Sequence, residues 1–262
     1  MLSGLPQVFR PPKPARQIYD GPDVFLQTGL IHHWYAGLAR PGDVFQDLKG
    51  GCDIQLRRTA PSKLVEGAGW LVCGKSGADQ DWSASISEDG VDCNQDLTIT
   101  LFYMVDSAVQ WPPKIIFALG DTMSKNYIII TFTAWSFQVA ICCGDYYYEA
   151  TCSHPDFDSG SVAFPYGQDP WEGKTALIID RSATAITLVH NGNTYKLHTA
   201  VVDDLSPIFP FNLAPRIIHQ FPPVVNKFGI AIQEIRIYNS ALSGQDLIDS
   251  LVKTMVPVPW GE

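Results

Sequence analysis

The chain has 262 residues, a formal net charge of −9, and 46% hydrophobic residues against 17% charged ones. This apolar content excludes a chain that is disordered throughout, and the acidic balance disfavours a nucleic-acid partner because like charges repel. No run reaches the roughly 18 consecutive apolar residues of a membrane-spanning helix, so we expect no membrane insertion. The 19 prolines and 21 glycines favour many turns between short strands, and single all-β domains reach this length.

Residues 1–24 differ from the rest of the chain, because they are rich in proline and show no apolar periodicity. Such a segment favours an extended, polyproline-like conformation and cannot bury itself. We predict an N-terminal arm that binds neighbouring subunits of an assembly. Its contacts are expected from Val8, Phe9, Arg10, Pro11, Pro12 and Tyr19. The segment also lacks the basic-then-apolar layout of a signal peptide, so secretion by the general route is not expected.

From residue 25 onward, one short alternating segment follows another. Alternation of apolar and polar residues is typical of strands with one face in a core. In the clearest case, the odd-numbered residues of 97–105 are predicted to share the buried face. Strands are predicted over 30–35, 96–105, 114–119, 127–133 and 136–142. The intervening pieces 57–95 and 143–172 are predicted to be long loops.

The C-terminal half contains the clearest hairpin signal, Asn191-Gly192 between two alternating runs. A type I′ turn needs positive φ at both central positions, which Asn and Gly tolerate best. Strands are therefore predicted over 175–180, 185–190 and 193–198, and a last long strand over 228–238. A helix is predicted after Ser243, which begins a pattern typical of a capping box.

The last predicted strand cannot be regular. Ile232 and Ile235 are separated by an odd number of residues, so they cannot share a face of an unbroken strand. We predict a β-bulge near Gln233-Glu234, with Ile235 and Ile237 pointing inward after it. Leu242 is expected to close the edge of the core.

Three motifs in order resemble the concanavalin A-like lectin family, and in particular its laminin G-type modules. They are the opening strand and loop at 29–50, the hairpin at 176–192, and the closing Ile235-Arg-Ile-Tyr-Asn-Ser-Ala-Leu-Ser243. The resemblance covers about residues 25–253. It implies an all-β, two-sheet antiparallel jelly-roll sandwich over 25–255 with one short C-terminal helix, followed by a short tail over 256–262.

Enzymes of this fold are retaining glycoside hydrolases, which need two carboxyl groups about 5 Å apart. The resemblance implies a Glu-x-Asp-x-x-Glu pattern on one strand, and the chain lacks it. The acids nearest to that pattern are Glu88-Asp-Gly-Val-Asp92 and Asp203-Asp204, and Glu234 is a lone acid on its strand. We therefore predict no catalytic residues and no enzyme activity.

No metal site or other cofactor is predicted. The adjacent residues His32 and His33 should face opposite ways on a strand, so they cannot bind one ion together. His154 is interpreted as part of a solvated loop, and calcium ligation by Asp43, Asp47 and Asp53 or by Asp121 is left open. The six cysteines are interpreted as buried thiols rather than zinc ligands: Cys52, Cys73, Cys93, Cys142, Cys143 and Cys152.

Aromatic residues in or beside the predicted loops are the candidates for ligand binding. Sugar rings stack on aromatic faces, although such residues can also cover a core beneath long loops. The glycan-binding candidates are Trp111, Tyr146, Tyr147, Tyr148, Tyr166 and Trp171.

These features lead to three hypotheses about function. The first is a structural or attachment component of a virion-like assembly, such as a bacteriophage head-decoration or tail-fibre protein made in the host cytoplasm and bound to other subunits through its arm. The alternative is a carbohydrate-binding lectin module whose partner is a cell-surface glycan. The third, a glycoside hydrolase, is disfavoured by the missing carboxylate pattern.

Overall fold

The computed structural model describes residues 25–36, 44–55, 62–65, 70–73, 83–86, 90–105, 114–121, 125–132, 136–143, 146–153, 171–183, 185–190, 192–196, 212–220 and 230–253. The predicted arm over 1–24, with Val8, Phe9, Arg10, Pro11, Pro12 and Tyr19, and the tail over 256–262 lie outside these residues. Almost all of the described elements are strands, and every strand pairing is antiparallel.

The first sheet is built around the longest strands of the chain. In spatial order it contains β15 (Asn193–Lys196), β14 (Ala185–His190), β13 (Trp171–Asp180), β8 (Leu97–Val105), β18 (Ile230–Tyr238), β5 (Trp70–Cys73) and β4 (Ser62–Val65). One edge of β18 pairs with β8 along its whole length. Along the other edge of β18, β5 pairs with the start of the strand and β1 (Leu30–Tyr35) pairs with the rest of it. The sheet therefore has eight strands.

The second sheet also has eight strands. In spatial order it contains β12 (Tyr146–Ser153), β11 (Ser136–Cys143), β10 (Asn126–Phe132), β9 (Lys114–Asp121), β17 (Pro215–Gln220), β6 (Ser83–Ile86), β3 (Ile54–Gln55) and β2 (Val44–Phe45). A separate two-stranded pair joins β7 (Val91–Asp92) to β16 (Asn212–Leu213). The predicted all-β antiparallel sandwich is confirmed.

The core lies between the two sheets. Leu97, Ile99, Leu101 and Tyr103 of β8 are at most 1% exposed, as their alternation predicted. They share one apolar cluster with residues of the second sheet, including Ile128 and Phe117, because both sheets direct alternate residues inward. The rings of Trp34 in β1 and Phe117 in β9 approach to 6.5 Å between centroids across this interface.

The predicted bulge in the last strand is confirmed. The register of β18 against β8 shifts between Ile232 and Glu234. As a consequence Ile232, Ile235 and Ile237 are all buried in the same core cluster. The Asn-Gly hairpin is confirmed as well, since β14 pairs with β15 directly across the turn and Gly192 has a φ of 85°.

The loops predicted over 57–95 and 143–172 were wrong in part. Strands β4, β5, β6 and β7 lie in the first piece, and β12 and the start of β13 lie in the second. Most of these strands have only two to four residues, too few to show a period in the sequence. Strand β12 has eight residues but little apolar alternation, and it forms because it pairs with β11 along its whole length.

One helix, α1 (Gly244–Ser250), is present in the described part of the chain, at the position that the sequence predicted. Ser243 is its N-cap residue, but its side chain makes no capping hydrogen bond. Leu247 packs against two apolar clusters, one formed by Leu30, Tyr238 and Leu242 and one on β13 and β14. The helix therefore covers the outer face of the first sheet. Its seven residues are too few to cross a membrane.

Candidate functional site

Strand β1 separates two polar clusters, because its successive residues face opposite ways. The rings of His32 and Trp34 stack with centroids 5.5 Å apart on one side. Those of His33 and Tyr35 stack at 6.4 Å on the other. The prediction that the adjacent histidines diverge is confirmed, and each of them bonds to a different carboxylate.

The first cluster surrounds Glu234, which is 1% exposed on the outer face of the first sheet. Its Oε1 accepts a hydrogen bond from His33 Nε2 at 2.7 Å and one from Arg236 Nε at 2.5 Å. Its Oε2 forms an ion pair with Lys253 Nζ at 2.8 Å. Three nitrogen donors from β1, β18 and the segment after α1 therefore converge on one buried carboxylate.

Arg236 extends this cluster to the segments that cover the sheet. Its guanidinium carbon lies 3.5 Å from the ring centroid of Phe25 and 4.6 Å from that of Phe102. Its Nη1 donates to the carbonyl oxygens of Ser250 at 2.8 Å and of Val252 at 3.3 Å. Because the guanidinium is fully buried, these contacts hold Phe25 and the end of α1 against β18.

The charge state of Glu234 follows from its neighbours. Burial by itself raises the pKa of the carboxyl, but the hydrogen bond from His33 and the charges of Arg236 and Lys253 outweigh it and lower the pKa to about 2. Glu234 is therefore ionised and enclosed at neutral pH, so it can neither donate a proton nor reach a solvent-borne substrate. This cluster stabilises the fold.

The second cluster lies at the edge of β1 that faces away from β18, where Asp47 of the loop 46–53 forms an isolated β-bridge with Trp34. His32 Nδ1 lies 2.7 Å from Asp47 Oδ2, and His32 Nε2 lies 4.0 Å from Cys52 Sγ. The ligand atoms of these three residues are all within 4.8 Å of one another. The imidazole is partly exposed, with 13% of its side-chain surface accessible. This arrangement combines nitrogen, sulfur and oxygen donors at the surface.

Backbone contacts hold the second cluster in place. Asp47 Oδ1 accepts hydrogen bonds from the backbone N–H groups of His33 at 2.9 Å and Lys49 at 3.0 Å. The Asp47 N–H donates to Asp53 Oδ1 at 2.8 Å. Two of the carboxylates that the sequence left open as calcium ligands, Asp47 and Asp53, thus accept hydrogen bonds within the loop. Asp43 and the side chain of Asp121 lie outside the described residues.

The burial predicted for the cysteines is confirmed where the structure describes the side chains. Cys52, Cys93 and Cys142 are at most 6% exposed. Burial, together with the nearby charge of Asp92, raises the pKa of the Cys93 thiol to about 12. The position of Cys52 beside His32 had no signal in the sequence, because 20 residues separate the two.

The predicted glycan-binding aromatics are distributed over two sheets. Tyr146, Tyr147 and Tyr148 begin β12 at the edge of the second sheet, whereas Trp171 begins β13 in the first. By the alternation of a strand, Tyr146 and Tyr148 belong to one face of the sheet and Tyr147 to the other. Trp111, Tyr166 and the loop residue His154 lie outside the described residues.

The strand register adds Tyr127 to these candidates. Tyr127 pairs with Cys142, and Cys142 pairs with Tyr147, so the three residues form one row across β10, β11 and β12. The row lies on the face opposite to the buried Ile128 and Ile141, and Tyr127 is half-buried there. We refer to Tyr127, Cys142 and Tyr147 as the outer row. The sequence did not single out Tyr127 as a candidate, because it begins the apolar run 127–133, which predicts a strand rather than a loop.

No protein-family model and no curated protein matches the chain. Among solved structures, it is similar to the botulinum neurotoxin serotype D/C binding domain (TM-score 0.57, 9% identity, 86% of this chain and 52% of that one). It is also similar to the botulinum neurotoxin DC binding domain in complex with SialylT (TM-score 0.57, 10% identity, 86% and 52%).

A Trypanosoma rangeli sialidase in complex with sialic acid is similar as well (TM-score 0.51, 11% identity, 86% of this chain and 33% of that one). The chain thus spans about half the length of the two toxin domains. At these identities the likeness shows the fold. The chain shares a β-sandwich with these binding domains and with a sialidase, in agreement with the lectin-like fold that the sequence predicted.

Proposed function

We propose that the chain is a carbohydrate-binding module that contacts its glycan through the outer face of the second sheet. The observation that carries the proposal is the outer row, in which the register aligns Tyr127 with Tyr147 on that face. Strands are about 4.8 Å apart, so the two tyrosine backbones lie about 10 Å apart across β11. Aromatic rings at such a spacing suit contact with neighbouring sugars of an oligosaccharide.

Small residues border Tyr127 within the same sheet. By register it pairs with Gly120 on β9 as well as with Cys142 on β11, and in the next row the half-buried Ile129 lies between Ala118 and Ala140. Tyr127 and Ile129 are therefore the two large side chains that β10 directs to this face. A sugar ring that stacks on Tyr127 would also contact Ile129 beside it.

The solved structures suggest which sugars to test first. One similar toxin domain is described in complex with SialylT and the similar sialidase in complex with sialic acid. Sialylated oligosaccharides are therefore the first ligand class to probe, with neutral glycans as the second.

We expect the full chain to bind one class on a glycan array. Tyr127→Ala and Tyr147→Ala should each weaken that binding at least about tenfold in calorimetry, because aromatic anchors dominate binding energy. Ile248→Ala, which truncates a 60% exposed residue on α1, is the matched control and should leave affinity unchanged. If the wild-type chain bound neither sialylated nor neutral glycans, the proposal would be refuted.

The proposal is binding rather than catalysis. Glu234, the acid on the last strand, is held by His33, Arg236 and Lys253 and is 1% exposed. The likeness to the sialidase covers 33% of that chain. Release of free sugar from sialylated or β-glucan substrates by the purified chain would contradict a purely binding role.

We further propose that the module is displayed on a virion-like assembly through the proline-rich arm 1–24, as the composition of that segment predicted. Deleting residues 1–24 should abolish incorporation of the chain into its parent particle, while the deleted chain keeps its glycan binding. Normal incorporation of the deleted chain, measured in purified particles, would rule out the arm as the docking segment.

A further inference from the structure

We propose that His32 and Cys52 bind a thiophilic divalent cation, zinc above all, and that Asp47 orients the imidazole for it. The two ligand atoms are His32 Nε2 and Cys52 Sγ, which lie 4.0 Å apart. Zinc prefers nitrogen and thiolate sulfur as ligands, whereas calcium prefers oxygen ligands. This site is separate from the outer row and does not depend on the glycan proposal.

The separation of the two atoms fits a bridging ion. With Zn–N near 2.0 Å and Zn–S near 2.3 Å, a tetrahedral angle places the two donors about 3.5 Å apart and a linear one about 4.3 Å. The observed 4.0 Å lies between these limits. The same distance is longer than the roughly 3.2 Å expected between a nucleophile and its base, and Cys52 is 1% exposed. The geometry thus favours metal binding over nucleophilic catalysis.

Asp47 has the contacts of an orienting carboxylate. Metal-binding histidines usually donate their second ring N–H to a carboxylate, which fixes the tautomer and raises ligand basicity. Asp47 Oδ2 lies 2.7 Å from His32 Nδ1, which leaves Nε2 directed towards Cys52. Oδ1 is occupied by two backbone N–H groups. Asp47 is therefore a positioning residue.

The surrounding structure holds both ligands in place before an ion arrives. Trp34 Nε1 donates to the Cys52 carbonyl oxygen at 2.8 Å, and His32 stacks on the fully buried Trp34 ring. The chain turns between Asp47 and Cys52 at Gly50 and Gly51, whose φ values of 87° and 101° favour glycine. Two protein ligands leave the other positions of a tetrahedral ion to solvent or to a bound group.

Cobalt(II) added to the reduced full-length chain is the probe, because a cobalt–thiolate bond gives a charge-transfer absorption in the near ultraviolet. We expect this band in the wild type, its loss in Cys52→Ser, and its retention in Cys142→Ala, which changes a buried thiol in the other sheet. Asp47→Asn should weaken cobalt binding about 10- to 100-fold while the band remains at saturation. Zinc should displace cobalt and remove the band.

A second measurement does not depend on whether the variants fold. Cys52 is 1% exposed, so iodoacetamide reaches it only when the loop opens transiently, and zinc should slow this alkylation in the wild-type chain, as followed over time by mass spectrometry of the Cys52 peptide. Lack of a thiolate–cobalt band in the folded, reduced wild type would overturn the proposal, as would a band that persists in Cys52→Ser. Equal alkylation of Cys52 with and without zinc would also overturn it.

Discussion

Replacing Glu234 with glutamine is expected to lower the free energy of unfolding by about 3–5 kcal/mol, the usual cost of breaking a buried ion pair from one side. The reason is the convergence of His33, Arg236 and Lys253 on this carboxylate. Glutamine has nearly the same shape, but it removes the negative charge and leaves a fully buried guanidinium without its counter-ion.

Urea unfolding of the wild type and Glu234→Gln measures this difference. Asp246→Asn is the matched control, because Asp246 is exposed in the first turn of α1 and its neutralisation should change stability by less than about 0.5 kcal/mol. If Glu234→Gln were as stable as this control, the cluster would not have the structural role that its geometry indicates.

The same carboxylate predicts the acid sensitivity of the fold. The folded-state pKa of Glu234 is lowered from the usual 4.5 to about 2, so its contribution to stability is fully present above pH 4.5. This contribution is lost as the pH falls from about 4.5 towards 2. The lowering of the pKa corresponds to about 3 kcal/mol in the free energy of unfolding. Urea unfolding between pH 6 and 2 should therefore show a steeper loss of stability for the wild type than for Glu234→Gln. Parallel pH profiles would contradict this assignment.

Gly173→Ala is expected to destabilise the chain by about 1–3 kcal/mol or more, because the site has no room for a methyl group. Gly173 of β13 pairs directly with Tyr103 of β8, and an ideal Cβ would overlap three atoms of the Tyr103 ring. The ring has little freedom to move away, since it is 1% exposed and stacks on His190 with centroids 6.5 Å apart.

A double-mutant cycle isolates this clash. In a Tyr103→Leu background the added methyl group of Gly173→Ala meets a shorter side chain, so the cost of the alanine should fall by about 0.5–3 kcal/mol. The free energies of unfolding of the wild type, the two single variants and the double variant provide the coupling energy. A coupling energy near zero would show that the backbone, and not the tyrosine ring, excludes a side chain at this position.

Local patterns predicted much of the fold because a strand with one buried face alternates in sequence. The core face of β8 was predicted in this way and is observed. The β18 bulge followed from the odd step between Ile232 and Ile235. The hairpin at Gly192 and the helix after Ser243 each depended on a few adjacent residues.

The predictions failed where a strand depends on its partner. Strand β5 has four residues and forms beside Ile230–Ile232, more than 150 positions later in the chain. Strand β12 lacks a clear alternation and follows the register of β11. In both cases pairing supplies hydrogen bonds that local propensity does not predict.

The sequence by itself determined the class of fold: alternating apolar segments, turn residues and one short amphipathic helix define an antiparallel β-sandwich. Tertiary structure decided which polar residues meet. His33 and Glu234 are 201 positions apart, and His32 and Cys52 are 20 apart on different elements. Strand order and register bring these pairs together, and the outer row depends on them as well. Such contacts are set by long-range packing between strands, so composition and periodicity carry no record of them.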